Sequence, residues 1–402
     1  MNAKVLCAFL LSSMLLPAAS ASAKDQYLEM RFERTRYRAM GGVDIALDPS
    51  TPANGAIGGG LKLTVFGFDI YATLSEGIRA YRTGRDTWDT AFSADLDTLE
   101  GLETLQTQVD DFMRGFKGES FYLELHNRID LLQALINRGP WTIQVGAYSE
   151  TLGGARAWVP QQIQLVEDST NGHYLDFGGR TTLLRAGART DVGASLGAGI
   201  TIPFAERFRV AVGARGRGFY RVSLPEHVAV VNAQVRSQDD VDFPTELRQQ
   251  QGWGIGVDLY STIQFSEDLT GVRLALYVED VLKYVDVNAQ DKSFITPPRF
   301  GLGVAYVSLD SRFTIGADVE RIETWDPSFQ LGMSYRAGQR AAHFIPKLGF
   351  TMNHRDIMGT ELSPTITTGL DINVGPALFS GAMEYQTATG AFNAGLAISL
   401  GL

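Results

Sequence analysis

Four arginines on one predicted strand are the strongest candidates for chemistry in this sequence. Arg209, Arg215, Arg217 and Arg221 lie an even number of positions apart in the stretch FRVAVGARGRGFYRV, residues 208–222. Side chains two apart on a strand share a face and are separated by about 6.5–7 Å, so the four form a ladder of positive charge. A ladder of this kind can bind an anionic head group or favour the passage of anions.

A second interpretation of the ladder is structural bracing. Asp258 lies on the polar face of the next long predicted strand, where its carboxylate can pair with arginines. Arg185 and Arg189 extend the basic face upstream. The sequence leaves both roles open, and both place the ladder and Asp258 on an inward face.

The histidines and the cysteine form no catalytic or metal-binding pattern. Five histidines lack a serine partner on a shared face and lack H-x-x-x-H spacing: His126, His173, His227, His343 and His354. His126 falls on a predicted helix, and the others fall at turns or loops. The single cysteine, Cys7, lies in the N-terminal apolar segment, so the mature chain is expected to have no thiolate site. We therefore predict no catalytic residue, no metal, no cofactor and no enzymatic activity.

Alternation with a period of two defines the elements that carry these residues. In WGIGVDLYSTIQF, residues 253–265, one face is apolar from Trp253 to Phe265, and the other is small or polar and includes Asp258. The same pattern recurs in 192–202, 208–222, 300–307, 313–320, 329–336, 344–353, 366–373, 377–386 and 391–402. These segments run about 8–15 residues, near the length of about 9–11 residues that a tilted membrane strand needs.

The connections between these segments alternate in length. Short connections such as 266–271 and 375–376 are separated by longer ones such as 223–250 and 354–364. Tight turns on one side and longer loops on the other are typical of outer-membrane barrels. We predict an all-β fold, a closed antiparallel transmembrane β-barrel of about 12–14 strands, in which the last strand pairs with the first. A soluble two-layer sandwich is the alternative.

The N-terminus has the pattern of an export signal. Lys4 precedes an apolar stretch, and Ala21-Ser22-Ala23 is a cleavage pattern, so residues 1–23 are predicted to be a signal peptide cleaved near Ala23. Together with the barrel, this predicts the outer membrane of a Gram-negative cell as the location. Residues 24–60 are basic and then glycine-rich, and we expect an N-terminal plug. The barrel spans 61–402, with a bulge near Val65 in its first strand.

An α-helical insertion is predicted at about 88–137. The first apolar stripe, with spacings of three and four, runs from Leu96 to Phe116 and includes Leu99, Leu102, Leu105, Val109 and Phe112. A second stripe follows Gly118 and consists of Leu125, Ile129, Leu132 and Ile136. Together they predict an α-helical hairpin, which either caps the barrel or docks a protein partner through the first stripe.

Short segments of the chain resemble the long-chain fatty-acid transporter (FadL-like) superfamily of outer-membrane barrels. Arg38, Met40, Gly41 and Gly42 belong to RAMGGVDIAL, which is similar to the AMGG…A segment that opens those proteins. LYVEDVL at 276–282 and PPRFGLG at 297–303 resemble later segments of the family. The helical insertion resembles TraF-type conjugal-transfer barrels. The resemblance implies that Arg38, Met40, Gly41 and Gly42 belong to a plug in the lumen and, in the transporter branch, that hydrophobic molecules pass.

Two functional hypotheses follow. The first is a passive conduit for small hydrophobic or amphipathic molecules, with the arginine ladder as a head-group site. The second is a structural or assembly component of a conjugal-transfer or secretion apparatus, with the helical insertion docking an envelope protein. The expected partners are outer-membrane lipid, a hydrophobic small molecule and, in the second case, that envelope protein. A formal net charge of −10 argues against a nucleic-acid partner.

Overall fold

The computed structural model describes residues 35–40, 42–48, 50–58, 61–73, 98–115, 120–158, 164–168, 172–176, 182–205, 208–231, 234–235, 241–242, 250–266, 270–287, 298–324, 327–339, 342–353, 364–387 and 392–401. The predicted signal peptide at 1–23 with its cleavage near Ala23, the predicted plug up to residue 34, and Gly41 lie outside these ranges. Within the described ranges, no helix is long and apolar enough to cross a membrane.

Fourteen strands of the main sheet form one closed antiparallel barrel. They are β1 (Leu61–Thr73), β2 (Ser120–Arg138), β3 (Trp141–Trp158), β4 (Thr182–Ala205), β5 (Phe208–Val231), β6 (Gln250–Gln264), β7 (Gly271–Val287), β8 (Arg299–Val307), β9 (Phe313–Glu320), β10 (Ser328–Tyr335), β11 (Ala342–Met352), β12 (Thr365–Val374), β13 (Ala377–Gln386) and β14 (Phe392–Gly401). β14 pairs with β1, which closes the sheet. Two short strands extend it: Val241–Asp242 beside β5 and Ala337–Gln339 beside β11. The predicted closed barrel is confirmed, at the upper end of the expected strand number.

The wall is apolar outside and polar inside. On β6, Trp253 and Ile255 are 69% and 59% exposed, whereas Asp258 and Gln264 are fully buried. Large apolar side chains are exposed in the same way along other strands, for example at Leu331 in β10. A soluble sandwich would bury these side chains between its sheets, so that alternative is wrong. The arrangement is that of a barrel wall facing lipid.

The barrel closes at an irregular first strand. β1 pairs with β14 from Thr64 opposite Gly401 to Thr73 opposite Asn393, and the register shifts between Thr64 and Phe66. Val65 and Phe66 are both exposed at this shift, although a regular strand would point them to opposite faces. The bulge predicted near Val65 is confirmed.

Short connections lie at one end of the barrel and long connections at the other, as predicted. β2 and β3 join through residues 139–140, and β12 and β13 through residues 375–376. β1 begins and β14 ends at this short-connection end. β2 to β5 have 18 to 24 residues each and β8 to β14 have 8 to 11, so one side of the wall is taller.

A helix and a small sheet lie among the long connections. The sheet consists of the strands Gln164–Asp168, Gly172–Asp176 and Gln234–Val235. α3 is Leu99–Gly115, and it contacts the first two of these strands. The first half of the predicted helical hairpin is therefore a helix.

The second half of the predicted hairpin is wrong, because residues 120–138 form strand β2. Leu125 and Ile129 are four apart, a spacing that suits one helical face and also one face of a strand. A register shift between Asp130 and Leu132 then changes the parity by one. Leu132 and Ile136 therefore return to the exposed outer face at a spacing that imitates a helix.

The chain from 35 to 58, called here the lumen segment, crosses the inside of the barrel. It contains the short helices α1 (Thr35–Arg38) and α2 (Pro52–Gly58). α1 contacts β12, β13, β14 and β1, α2 contacts β2 to β6, and the turn between them lies against β8, β9 and β10. The segment therefore crosses the lumen and touches several sides of the wall.

Candidate functional site in the barrel lumen

Glycines on the inner wall let the lumen segment lie directly against the strands. A Cβ atom at Gly332 would clash with the carbonyl oxygen of Met40, and one at Gly369 would clash with Ala39. The small residues on the inner face, called here the glycine track, are therefore the surface on which the segment packs. A larger side chain at these positions would hold the segment away from the wall. The predicted plug residue Gly42 serves a different need, since it turns the chain after α1 with a φ of 88°.

Asp318 in β9 fixes the turn that follows α1. Its Oδ2 accepts hydrogen bonds from the backbone N–H of Asp44 at 2.7 Å and of Ile45 at 2.8 Å. The side chain is almost fully buried. Hydrogen bonds to a carboxylate are roughly twice as strong as neutral ones, so Asp318 is a principal attachment of the segment.

Lys347 in β11 holds the body of α1. Its Nζ donates to the backbone carbonyl of Arg36 at 2.6 Å and to Oδ2 of Asp371 at 2.6 Å. The guanidinium of Arg36 lies 3.9 Å from the same carboxylate. A lysine and an aspartate on neighbouring strands thus bind the helix through one backbone oxygen and one side chain.

Arg38, at the end of α1, enters a buried polar cluster. Its Nη2 lies 3.3 Å from Nδ1 of His126, and its guanidinium lies 3.8 Å from the ring centroid of Tyr71. Tyr71 donates its hydroxyl to Glu384 at 2.6 Å, and the other ring nitrogen of His126 contacts Glu124. The cluster joins α1 to β1, β2 and β13. Because His126 belongs to β2, its predicted helical position is wrong.

The α2 end of the lumen segment packs through apolar side chains. Ala53 and Ile57 lie in a small buried cluster with Tyr260 of β6. The amide oxygen of Asn54 accepts a hydrogen bond from the hydroxyl of Thr262 at 2.6 Å. Just before α2, the amide of Gln144 in β3 donates to the backbone carbonyl of Ser50 at 2.5 Å. This end therefore combines an apolar contact with direct polar links to the wall.

The central arginines of the predicted ladder face the lumen and are matched by carboxylates. Arg215 donates to Oδ2 of Asp258 from Nε at 3.0 Å and from Nη2 at 2.9 Å. Arg217 donates to Oδ1 of Asp258 at 3.0 Å and to Asp280 at 2.6 Å. One fully buried aspartate thus bridges two arginines of the neighbouring strand.

The rest of the ladder continues on the same inner face. Arg221 donates to Asp191 of β4 at 2.7 Å, and Arg189 lies 3.7 Å from that aspartate. Arg209 is half-buried opposite Gln264. The side chain of Arg185 lies outside the described residues.

Sequence reasoning missed Asp280 because a bulge brings it inward. The pairing of β6 with β7 shifts register around Asp258, and Asp280 has a φ of 56°. Glu279 and Asp280 are both buried, although strict alternation allows only one of two neighbours to face inward. Two consecutive acids within an apolar strand were the available signal.

The wall anchors Asp318, Lys347, Asp371 and Glu384 were also missed as site residues. Their parity on the predicted strands places them on the polar face, so their inward position was available from the sequence. Their partners in the lumen segment lie hundreds of positions away, and no local pattern connects the two.

A cavity of about 150 Å³ separates the lumen segment from the wall at the short-connection end. Tyr37 and Ser50 line it on the segment side. The wall contributes residues near the start of β1 and β13 and near the end of β2 and β14, including Leu378 and Ser399.

The residues of the predicted docking stripe on α3 differ in their exposure. Leu102 is buried, on the helix that contacts the small sheet, whereas Leu99 is exposed and Leu105 is half-buried. The side chains of Val109 and Phe112 lie outside the described residues. The chain's own sheet is therefore a neighbour of this helix.

Comparison with known proteins gives resemblances of fold only. No protein-family model matches the chain, and no curated protein matches it. Among solved structures, the "TodX deltaS2S3 mutant monoaromatic hydrocarbon channel" has a TM-score of 0.49 at 10% identity, covering 92% of this chain and 97% of that one. The Pseudomonas putida toluene transporter TodX has a TM-score of 0.44 at 8% identity, covering 92% and 98%.

The CymD monoaromatic hydrocarbon channel has a TM-score of 0.44 at 11% identity, covering 92% of this chain and 96% of that one. Resemblances this distant identify neither a family nor a solute. The likeness to the long-chain fatty-acid transporter superfamily remains a prediction from sequence, and a particular closeness to TraF-type barrels has no support.

Proposed function

We propose that this protein is an outer-membrane conduit for small hydrophobic or amphipathic molecules, and that the lumen segment is the plug that closes it. The observation that carries the proposal is the attachment of that segment: it crosses the lumen, and polar contacts at Asp318, Lys347 and Arg38 hold it to the wall.

The size of the barrel explains why a plug is needed. A barrel of about 8 strands is filled by its own side chains, whereas one of about 16–18 strands leaves an aqueous channel. The present barrel of 14 strands is nearer the second case. Its wall is lined by glycine where the segment lies, so the wall does not close the lumen unaided.

The chemistry of the attachment suits a plug that moves. Hydrogen bonds to charged groups contribute a net of about 1.5–3 kcal/mol each, because bonds to water replace them when the segment leaves the wall. The apolar cluster joins Ile45, Ala46 and α2 to Tyr260 and their neighbours, whereas the α1 end buries Tyr37, Ala39, Met40 and Val43 separately. Displacing the α1 end leaves that cluster in place, so a passage can open along β11 to β14 while the wall stays intact.

For the arginine ladder we propose bracing in place of the head-group site. Asp258 is fully buried and engages both Arg215 and Arg217, so the central arginines are already matched across the strand pair. An anionic solute would have to replace Asp258 as their partner. The ladder then stiffens the taller side of the wall, opposite the attachment of α1.

No contact of the described residues favours the assembly hypothesis. α3 contacts the chain's own small sheet, which suits the capping alternative for the insertion. A deletion of 88–137 would remove strand β2 and would not test docking. Removal of 99–115 alone is the appropriate change for a pull-down of envelope proteins.

The proposal is tested by uptake into intact Gram-negative cells that either make or lack the protein. Initial uptake rates of toluene and p-cresol should rise when the protein is made, because the lipopolysaccharide leaflet slows both solutes. Heat-modifiable migration in the outer-membrane fraction is the control for a folded barrel. Equal uptake in the two strains, with a folded barrel present, would refute the conduit.

A further inference from the structure

We infer that the cavity between the lumen segment and β1, β2, β13 and β14 binds one small neutral amphiphile, with a single-ring body and one hydrogen-bonding group. The inference deepens the conduit proposal and rests on it for the route by which the solute arrives. It names a size, a charge and a place for the solute.

The size follows from the volume. The cavity measures about 150 Å³. An apolar cavity of about 150 Å³ is known to hold one benzene molecule, and a water molecule occupies about 30 Å³ of liquid. A single ring with one or two substituent atoms therefore fits, whereas a long alkyl chain would extend beyond the cavity.

The lining has both apolar and hydrogen-bonding groups. Tyr37 of the lumen segment, Leu135 and Leu378 supply carbon surface for a ring. Thr64, Ser380 and Ser399 supply hydroxyl groups that donate or accept. The lining thus mixes carbon surface with many polar groups, which suits a ligand that has both an apolar body and a hydrogen-bonding group.

The charged groups at the cavity are matched within the protein. Arg128 lies 3.0 Å from Asp130 and 3.0 Å from Glu150. Asp48 accepts hydrogen bonds from the backbone N–H of Ser50 at 2.9 Å and from its hydroxyl at 2.6 Å.

Arg36, the next charged group at the cavity, lies 3.9 Å from Asp371, and the buried carboxylate of Asp69, which also lines the cavity, interacts within the protein. Lys62 also lines the cavity, but it is exposed, so water weakens its attraction for an anion. A solute with a full charge would lose hydration without gaining a dedicated partner, whereas a neutral hydroxyl needs only one hydrogen bond. The site therefore favours neutral amphiphiles over carboxylates and amines of the same size.

The position of the cavity suggests that it is the last binding site that the solute occupies before it leaves the barrel. The cavity reaches from the short-connection end, at Lys62, Leu378 and Ser399, to the middle of the wall at Arg128. The short-connection end is where outer-membrane barrels have their periplasmic turns. Tyr37 and Ser50 belong to the lumen segment, so a bound solute touches the plug and the wall together. Occupancy of this cavity would limit the conduit to solutes of single-ring size.

The test uses the full-length protein, purified in detergent, with p-cresol as the probe. Ser399→Trp fills the cavity, and Leu400→Trp places the same side chain on the neighbouring residue, which faces outward. Leu378→Trp with its outward control Phe379→Trp is the second pair, in case the first variant does not fold. Calorimetric titration should show at least 10-fold weaker p-cresol binding in each filled variant than in its control.

A site-specific readout removes the effect of solute that partitions into detergent. Ser399→Cys, in a mature chain predicted to have no other cysteine, should react with a maleimide more slowly when p-cresol is present. Benzoate and benzylamine, of similar size but charged, should protect this thiol at least 10-fold less well. Leu400→Cys should show no protection by any of the three.

Each outcome is decisive. Equal p-cresol binding by the filled variants and their controls, or no protection of the Ser399→Cys thiol, would overturn the site. Stronger protection by benzoate or benzylamine would overturn the neutral class. Saturable p-cresol binding without any effect of the protein on uptake would support the binding site and refute the conduit. Uptake that Ser399→Trp does not change would show that the cavity is not on the transport route, and would retain the conduit.

Discussion

The carboxylate of Asp318 in the barrel wall accepts the backbone N–H of Ile45 in the lumen segment at 2.8 Å. The same oxygen accepts the N–H of Asp44. A side chain of the wall thus fixes the backbone of the segment, so the attachment does not depend on which side chains the segment has at these two positions. It depends on one buried acid.

Replacing that acid should loosen the segment without unfolding the barrel. Hydrogen bonds to charged groups contribute about 1.5–3 kcal/mol each, so Asp318→Ala should make the turn at 44–45 open at least 10-fold more often. Amide hydrogen exchange of Asp44 and Ile45 measures this directly. Asp310→Ala in an exposed turn is the matched control, and equal exchange in the two variants would show that Asp318 does not anchor the segment.

The glycine track makes a second prediction. Gly332→Ala places a Cβ against the carbonyl oxygen of Met40, so the segment has to move away from β10. Gly381→Ala places the same atom 3.9 Å from Leu396, its nearest neighbour, and should have no effect. Both variants should form heat-modifiable barrels, but only the first should show faster proteolysis within residues 35–58. Identical proteolysis would contradict direct contact between segment and wall.

Variants of Asp258 test whether the arginine ladder braces the barrel wall or binds a solute. Asp258→Ala removes the carboxylate shared by Arg215 and Arg217, and breaking a buried ion pair from one side costs about 3–5 kcal/mol. The temperature at which the folded band disappears on electrophoresis should fall. Combining it with Arg215→Met and Arg217→Met should recover much of the loss, since no cation then lacks its partner.

The head-group alternative predicts a different result at the same positions. If the ladder binds an anionic solute, Arg215→Ala with Arg217→Ala should abolish binding of that solute even where the barrel keeps its stability. Bracing predicts lowered thermal stability and no specific loss of uptake at temperatures where the barrel is folded.

The wall was predictable from the sequence because each residue of a strand has only two faces to choose from. Trp253 and Asp258 fall on opposite parities, and the structure places them outside and inside. The prediction failed where a bulge broke the parity. Leu132 then imitated a helical position, and Asp280 turned inward beside a neighbour that was already inward.

For the inside of the barrel, the sequence predicted which types of residue line the inner face but not which residues contact one another. Glycine and scattered charges on the inner face indicated a lumen, but Arg38 and His126 are 88 positions apart, and Asp44 and Asp318 are 274 apart. Such contacts depend on where the segment enters the closed barrel, which no local period encodes. The cavity is the space between two surfaces that are distant in sequence, and no sequence pattern predicts it.

The most direct test of the moving plug is a reversible lock. A Cβ atom at Gly332 in β10 would lie 2.8 Å from that of Met40 at the α1 end, so Met40→Cys with Gly332→Cys brings two thiols close enough to join after the segment shifts by about 1 Å. Either single variant controls for the oxidant. With the disulfide formed, uptake of p-cresol by intact cells should fall to the rate of cells that lack the protein, and reduction should restore it. Uptake at the same rate in the oxidised and reduced states would contradict a plug that has to move.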